Sequence, residues 1–187
     1  MSDTALLLID VINAFDFDGG KSLLEQANRT VAPITRLTRR ARAAGVPIIY
    51  ANDNYGDWKE TFDTLVERCQ REDHRGCELV RALAPQAGDH FILKPKHSAF
   101  YLTPLDALLT ELAVKRLVIC GYAGDICVLF TANDAYMRDY EVRVPEDCVA
   151  SESRAGNDCA LDMLRANLSV DTAPGHAVPL EATAPNA

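Results

Sequence analysis

Short apolar runs alternate with longer amphipathic stretches along the chain, and the two spacings predict different elements. ALLLID (5–10), VPIIYA (46–51), HFILK (90–94), RLVICG (116–121) and EVRV (141–144) are rich in leucine or β-branched residues and bounded by turn formers. Strands covered on both faces of a parallel sheet read this way. LSVDT (168–172) is a weaker sixth candidate. Between the runs, helical periodicity falls near 21–44, 59–70, 76–83, 104–113, 126–138 and 153–166. Gly45 has the place of a helix C-terminal glycine, and Thr103-Pro104 that of an N-cap followed by a first-turn proline. The repeated strand–helix–strand order implies an α/β fold with a mainly parallel sheet and right-handed crossovers.

At 187 residues the chain can bury roughly 70% of its unfolded surface around one core. Residues 1–172 therefore read as a single domain, and the Pro/Ala-rich stretch 173–187 as a loosely attached tail. With 48% apolar and 25% charged residues the composition is that of an ordinary globular protein. No run approaches the 18 or so apolar residues of a membrane span, and MSDTALLLID lacks the basic start and cleavage site of a signal peptide. A cytoplasmic protein is the resulting expectation. The net charge of -8 argues against nucleic acid or an anionic membrane as partner, leaving small molecules.

Six cysteines, at 69, 77, 120, 127, 148 and 159, form no CxxC pair and no cluster of zinc spacing, so free thiols are expected. Cys120, Cys148 and Cys159 read as buried, inert thiols.

Open parallel sheets bind ligands outside the carboxyl ends of their strands. Those ends carry Asp10, Asp53 and Lys94, and the fourth strand leads through Gly121-Tyr122-Ala123-Gly124 to Cys127. An acid, a lysine and a cysteine can thus meet at one edge. A nearby ammonium and a helix N-terminus would pull the thiol below its free value of about 8.5. Asp125 would cap that helix, leaving Cys127 as its second residue with a free amide for an oxyanion. Asp10 could move the thiol proton. Each residue alone also has a plain structural reading: a strand-ending cap, a solvated lysine, a core thiol.

LLLIDVINAFDFDGG, ILKPKHSAFYLTPLDALL and LVICGYAGDICVLFTANDAYMRDYEVRVPEDCVAS together resemble the signature blocks of the isochorismatase-like cysteine hydrolases, which include nicotinamidases, carbamoylsarcosine amidases and isochorismatases. The likeness runs from about residue 4 to 171. It implies a three-layer, Rossmann-like α/β fold with a six-stranded, mainly parallel sheet and helices on both faces. It also implies catalytic Asp10, Lys94 and Cys127, a cis peptide at Tyr122-Ala123, and an oxyanion hole from the amides of Ala123 and Cys127. A homo-oligomer, dimer or tetramer, is implied too.

Two departures narrow the activity. Nicotinamidases carry Asp-x-His after the second strand, with further histidines, to hold a metal; here Asp53-Asn54-Tyr55 stands there, and His74, His90, His97 and His176 are scattered. No metal or other cofactor is expected. Isochorismatases proper act on a vinyl ether without a cysteine nucleophile, so Cys127 favours attack on the carbonyl of a small amide-like substrate. A vinyl-ether hydrolase, or a catalytically idle binding member of the fold, are the rival readings. Phe15, Tyr55, Trp58, His97 and Tyr122 are the candidate substrate contacts, with Phe17 and Phe100 nearby; Phe15 and Phe100 read equally well as core. Lys96 reads as solvated or, like Arg75 or Arg81, as a partner for a substrate carboxylate.

Overall fold

A computed structural model describes residues 2–180. The chain runs β1 (Thr4–Ile9), α1 (Gly20–Ala27), α2 (Val31–Ala43), β2 (Ile48–Asp53), α3 (Phe62–Cys69), α4 (Cys77–Ala82), β3 (His90–Lys94), α5 (Leu105–Glu111) and β4 (Arg116–Tyr122). A π-helical turn (Gly124–Val128) then enters α6 (Leu129–Tyr136), followed by β5 (Glu141–Arg143), β6 (Val149–Ala150) and α7 (Arg154–Leu168). The sheet order is β3-β2-β1-β4-β5, with β6 also on β4, and every pairing is parallel.

All six residues of β1 are buried, as befits a central strand. Alternation sends Leu6 and Leu8 to one face and Ala5, Leu7 and Ile9 to the other. The first face packs with Ile34 and Leu37 of α2 and Leu65 of α3. The second packs with Leu109 of α5, Ala132 of α6 and Leu161 of α7. Helices thus cover both faces, giving the expected three layers.

Four local expectations change. The helix expected over 21–44 is two, because Thr30 interrupts it: its hydroxyl donates to Ala27 O (2.8 Å) and meets the Tyr122 hydroxyl (2.8 Å). LSVDT contributes only an isolated bridge, Asp171 to Arg143; the sixth strand is Val149–Ala150, too short to show a period. The tail is not loose over its described part. Arg40 donates to Gly175 O (2.8 Å) and Val178 O (2.7 Å), and Val178 and Leu180 are buried against the α2 face. The rest of the expected tail, 181–187, lies outside the described residues. Finally, Cys120 and Cys148 are buried but Cys159 is exposed on α7.

Of the two punctuation sites, Gly45 behaves as read and Thr103-Pro104 is shifted by one residue. Gly45 has φ 66 and closes α2: its amide bonds Arg42 O (3.1 Å) and that of Val46 bonds Ala41 O (2.9 Å), the paired pattern of a Schellman end. Pro104, not Thr103, is the N-cap of α5, which begins at Leu105; the Thr103 hydroxyl still accepts from Leu105 N (3.2 Å). No helix among the described residues is long and apolar enough to cross a membrane.

Since Val178 and Leu180 complete the α2 face, replacing both with alanine should lower unfolding free energy by about 3 kcal/mol, the range of large-to-small core changes. Urea unfolding followed by circular dichroism measures it; an unchanged midpoint would mean that the segment only rests on the surface.

Candidate active site

The ends of β1, β3 and β4 converge because the sheet register brings them level. Ile9 pairs with Gly121, Ile9 with Ala51, and Asp53 with Lys94. Directly after β1, Asp10 turns to φ 51, which swings its carboxylate over the strand ends while its amide still bonds Ala51 O (3.0 Å). Asp10 Oδ1 accepts from Asp53 N (2.7 Å), and Oδ2 lies 2.9 Å from Lys94 Nζ. Lys94 has no exposed surface. Its ammonium carries three donors, and three acceptors surround it: Asp10 Oδ2, Lys96 O (3.2 Å) and Cys127 Sγ (3.4 Å). Asp53 Oδ2 stands slightly farther off, at 3.8 Å.

Cys127 reaches this point through a tight crossing. A Cβ at Gly121 would lie 2.0 Å from Ile9 O, so only glycine lets β4 run so close to β1, and its φ of 117 suits glycine as well. The Tyr122-Ala123 peptide is cis, as the resemblance implies. Asp125 does not cap the helical turn beyond this peptide. The turn starts from Ala123, whose carbonyl accepts from Ile126 N (3.2 Å) and Val128 N (3.0 Å), the amides flanking that of Cys127. Cys127 is therefore the fourth residue of a π-turn, and the Asp125 amide bonds the Ser151 hydroxyl instead (3.0 Å).

The protonation pattern also departs from expectation. Burial pushes the Cys127 thiol up to about 12, the Asp10 carboxylate adds to this, and Lys94 only partly opposes them. Burial likewise raises Asp10 above its ordinary value, against the pull of Lys94. For Lys94, burial works downward but is outweighed by Asp10 and Cys127, leaving it above its ordinary value. The resting site is a buried ammonium–carboxylate pair beside a neutral thiol. Desolvation wins because the cluster sits under the strand ends rather than on the surface.

Of the expected substrate contacts, His97 stands beside the thiol, while Tyr55 and Trp58 lie on the loop after β2. His97 Nδ1 is 3.9 Å from Cys127 Sγ, its ring tilted against Phe130 at 5.6 Å. Tyr55 lies on the loop after β2 under the Arg68 guanidinium, and Trp58 on that loop is 81% exposed. Phe15 and Tyr122 do not belong there. Both are fully buried in the α2-side core with rings 6.1 Å apart, and the Tyr122 hydroxyl is held by Thr30. Alternation explains Tyr122: it faces away from Cys127 toward the other layer. Phe100 is core as well, packed under Arg138 and Tyr140. Lys96 is exposed and contributes its carbonyl, while Arg81 bonds Glu78 and Gln70 O.

Sequence reading missed Phe130, Asn52 and Ser151. Phe130 is half-exposed beside His97, but in sequence it is one apolar residue among several on α6. Asn52 donates to Ile12 O (2.9 Å) and so anchors the loop that follows Asp10; a polar residue inside a buried strand was the available signal.

A metal fits poorly here. Asp53 Oδ1 accepts from Tyr55 N (2.6 Å) and its other oxygen faces Lys94; Asn54 Oδ1 accepts from Gly56 N (3.0 Å); His74 pairs with Asp16. No group of three or more His, Cys, Asp or Glu side chains is arranged to hold a metal ion among the described residues.

Residues 4–173 match the isochorismatase domain family. The chain is 47% identical over 163 residues to the uncharacterized isochorismatase family protein YaaI of Bacillus subtilis (strain 168), covering 87% of this chain and 89% of that one. It is 30% identical over 162 residues to the ureidoacrylate amidohydrolase RutB of Methylorubrum extorquens (strain DSM 6343 / CIP 106787 / DM4), covering 73% of this chain and 65% of that protein. Among solved structures, the N-carbamoylsarcosine amidase from Thermoplasma acidophilum superposes with a TM-score of 0.73 at 28% identity, over 95% of this chain and 99% of that chain.

Replacing Lys94 with methionine leaves Asp10 buried without its cation. The folded-state carboxylate then titrates still higher above its unfolded value near 3.9. Stability from a raised carboxylate is fully present below the unfolded value and lost as pH rises through the folded one. The deficit of Lys94→Met against wild type should therefore grow from pH 4 to pH 8, reaching about 3 kcal/mol. Urea midpoints across that range test it, and a pH-independent deficit would contradict the buried pair.

Proposed function

Because the chain belongs to the isochorismatase family, we propose that it is a metal-independent cysteine amidohydrolase cleaving a non-peptide carbon–nitrogen bond of a small molecule. The observation that carries the reading is Lys94 Nζ, held 2.9 Å from Asp10 and 3.4 Å from Cys127 with no access to water. The names of the amidohydrolase and amidase relatives support the reaction class.

In the proposed cycle the Cys127 thiol gives its proton to the Asp10 carboxylate as the sulfur attacks the substrate carbonyl carbon. This transfer leaves the net charge of the site unchanged: the anion is the Asp10 carboxylate before it and the substrate oxyanion after it. The high resting position of the thiol fits a proton released only as the new bond forms. The amides of Ala123 and Cys127 receive the oxyanion. Asp10 then protonates the departing nitrogen, the carbon–nitrogen bond breaks, and ammonia or an amine leaves a thioester. Water, deprotonated by Asp10, attacks the thioester; the acid departs and the thiol is restored. His97, Tyr55 and Trp58 contact the substrate at the rim. The domain acts in the cytoplasm as a homo-oligomer, with no nucleic-acid or membrane partner.

Ammonia release screened over small amides, ureas and carbamoyl compounds tests the class. Cys127→Ala should abolish turnover of any substrate so found, and near wild-type turnover in that variant would sink covalent catalysis. Dialysis against a strong chelator should leave the rate unchanged, with nicotinamide a poor substrate. Loss of activity that zinc or iron restores would overturn the metal-independent reading.

The pH profile has a defined shape. Asp10 must be ionised, and its value lies above the ordinary 3.8, so kcat/KM falls on the acid side at a higher pH than a free carboxylate would give. Lys94 must be charged, and it lies above 10.5, so it causes no fall below that pH. A basic limb near neutrality that disappears in Lys94→Arg would contradict this assignment.

A further inference from the structure

We propose that Ser151 and Asn157 are positioning residues that hold the turn carrying Cys127, an inference that rests on reading Cys127 as the nucleophile. Strand β6 joins the sheet only at Gly121 and Tyr122, just before that turn, and so delivers Ser151 beneath it. Ser151 is fully buried. Its oxygen accepts from Asp125 N (3.0 Å), and its single proton goes to Asn157 Oδ1 (3.2 Å). A hydroxyl used in both directions has one orientation left.

The contact has no slack. A Cβ on Gly124 would lie 2.2 Å from Asn157 Oδ1 and 3.1 Å from Ser151 Oγ; one on Gly156 would lie 2.7 Å from Asp125 Oδ2. Asn157 is in turn fixed by the start of α7, where Ser153 caps the helix by accepting from Gly156 N (3.0 Å). The π-turn needs such support from outside. Its first amides have no partner within the helix, and Ala123 O is shared by the amides on either side of Cys127. Ser151 engages the amide of Asp125, which sets the plane in which the Cys127 amide and sulfur point. A displacement of about 1 Å there costs on the order of 100-fold in rate.

The test uses the full chain carrying Ser151→Ala, Asn157→Ala or Asn157→Asp. Aspartate keeps the acceptor that the serine proton needs, so it should rescue. For any substrate found in the amide screen, Ser151→Ala and Asn157→Ala should lower kcat about 10- to 100-fold with KM within threefold, while Asn157→Asp stays within threefold of wild type. Independently of any substrate, hydrogen exchange at the Asp125 amide should quicken at least tenfold in Ser151→Ala, with β1 and β3 unchanged. Wild-type exchange at Asp125, or kcat within twofold in both alanine variants, would overturn the proposal. So would faster exchange throughout the sheet, which would mark general destabilisation. Should Cys127→Ala retain turnover, the thioester reading fails, while the exchange measurement still decides whether the relay holds the turn.

Discussion

The buried ammonium of Lys94 is the constraint on which the rest of this architecture depends. A charge with no access to water costs several kcal/mol unless each of its donors meets an acceptor. Its acceptors come from three separate places: Asp10 after β1, the Lys96 carbonyl just past β3, and Cys127 in the turn after β4. Satisfying one side chain therefore requires three strand ends at the same height. The sheet register supplies this, and Gly121 supplies the close crossing of β4 past Ile9. Asp10 in the left-handed region belongs to the same arrangement, because only that bend sends one carboxylate oxygen to Lys94 and the other to the Asp53 amide.

The same burial decides how the proposed nucleophile is activated. An exposed cysteine beside a lysine at a helix start would be depressed and carry its thiolate at rest. Here desolvation and the Asp10 carboxylate outweigh Lys94 and keep the thiol neutral. In the proposed cycle activation accompanies attack, and Asp10 is suited to it because burial has already raised its affinity for a proton. The cost of burying the ion pair and the capacity to exchange a proton without changing net charge have one origin.

The legibility of each element in the sequence depended on the length of its signal. β1 to β4 are runs of five residues or more, and each ends in or leads directly to a polar residue or glycine, so both the strands and the convergence of Asp10, Lys94 and Cys127 could be read. β6 is two residues long and carries no period; its existence depends on pairing with Gly121 and Tyr122, a contact 28 residues distant along the chain in register. The docked segment around Val178 reads as a loose Pro/Ala-rich tail because its attachment is Arg40 bonding backbone carbonyls, which leave no trace in composition. Phe15 and Tyr122 were misplaced because proximity in sequence to a catalytic turn says nothing about the face a side chain takes. Strand alternation, which held for Lys94, sends Tyr122 the other way.

The loop after β2 shows how a shared strand-end frame can support different recognition. Its carboxylate, Asp53, stands where related hydrolases were expected to hold a metal, yet its oxygens are engaged by the Tyr55 amide and turned toward Lys94. Asn54 bonds the Gly56 amide in the same manner. The loop has thus committed its polar side chains to its own backbone, as Asx turns do. In the proposed reaction, orientation of a substrate then falls to groups that remain available: the His97 imidazole beside the thiol, the Tyr55 ring, and Trp58, which a single chain leaves in solvent. The floor of the site is fixed by strand ends that serve the ion pair and tolerate little change, whereas the rim is built from loop side chains that can vary without disturbing it. In the proposed reaction, the chemistry at the carbonyl is therefore set by the fold, and the choice of molecule that brings the carbonyl is set by a few exposed rings.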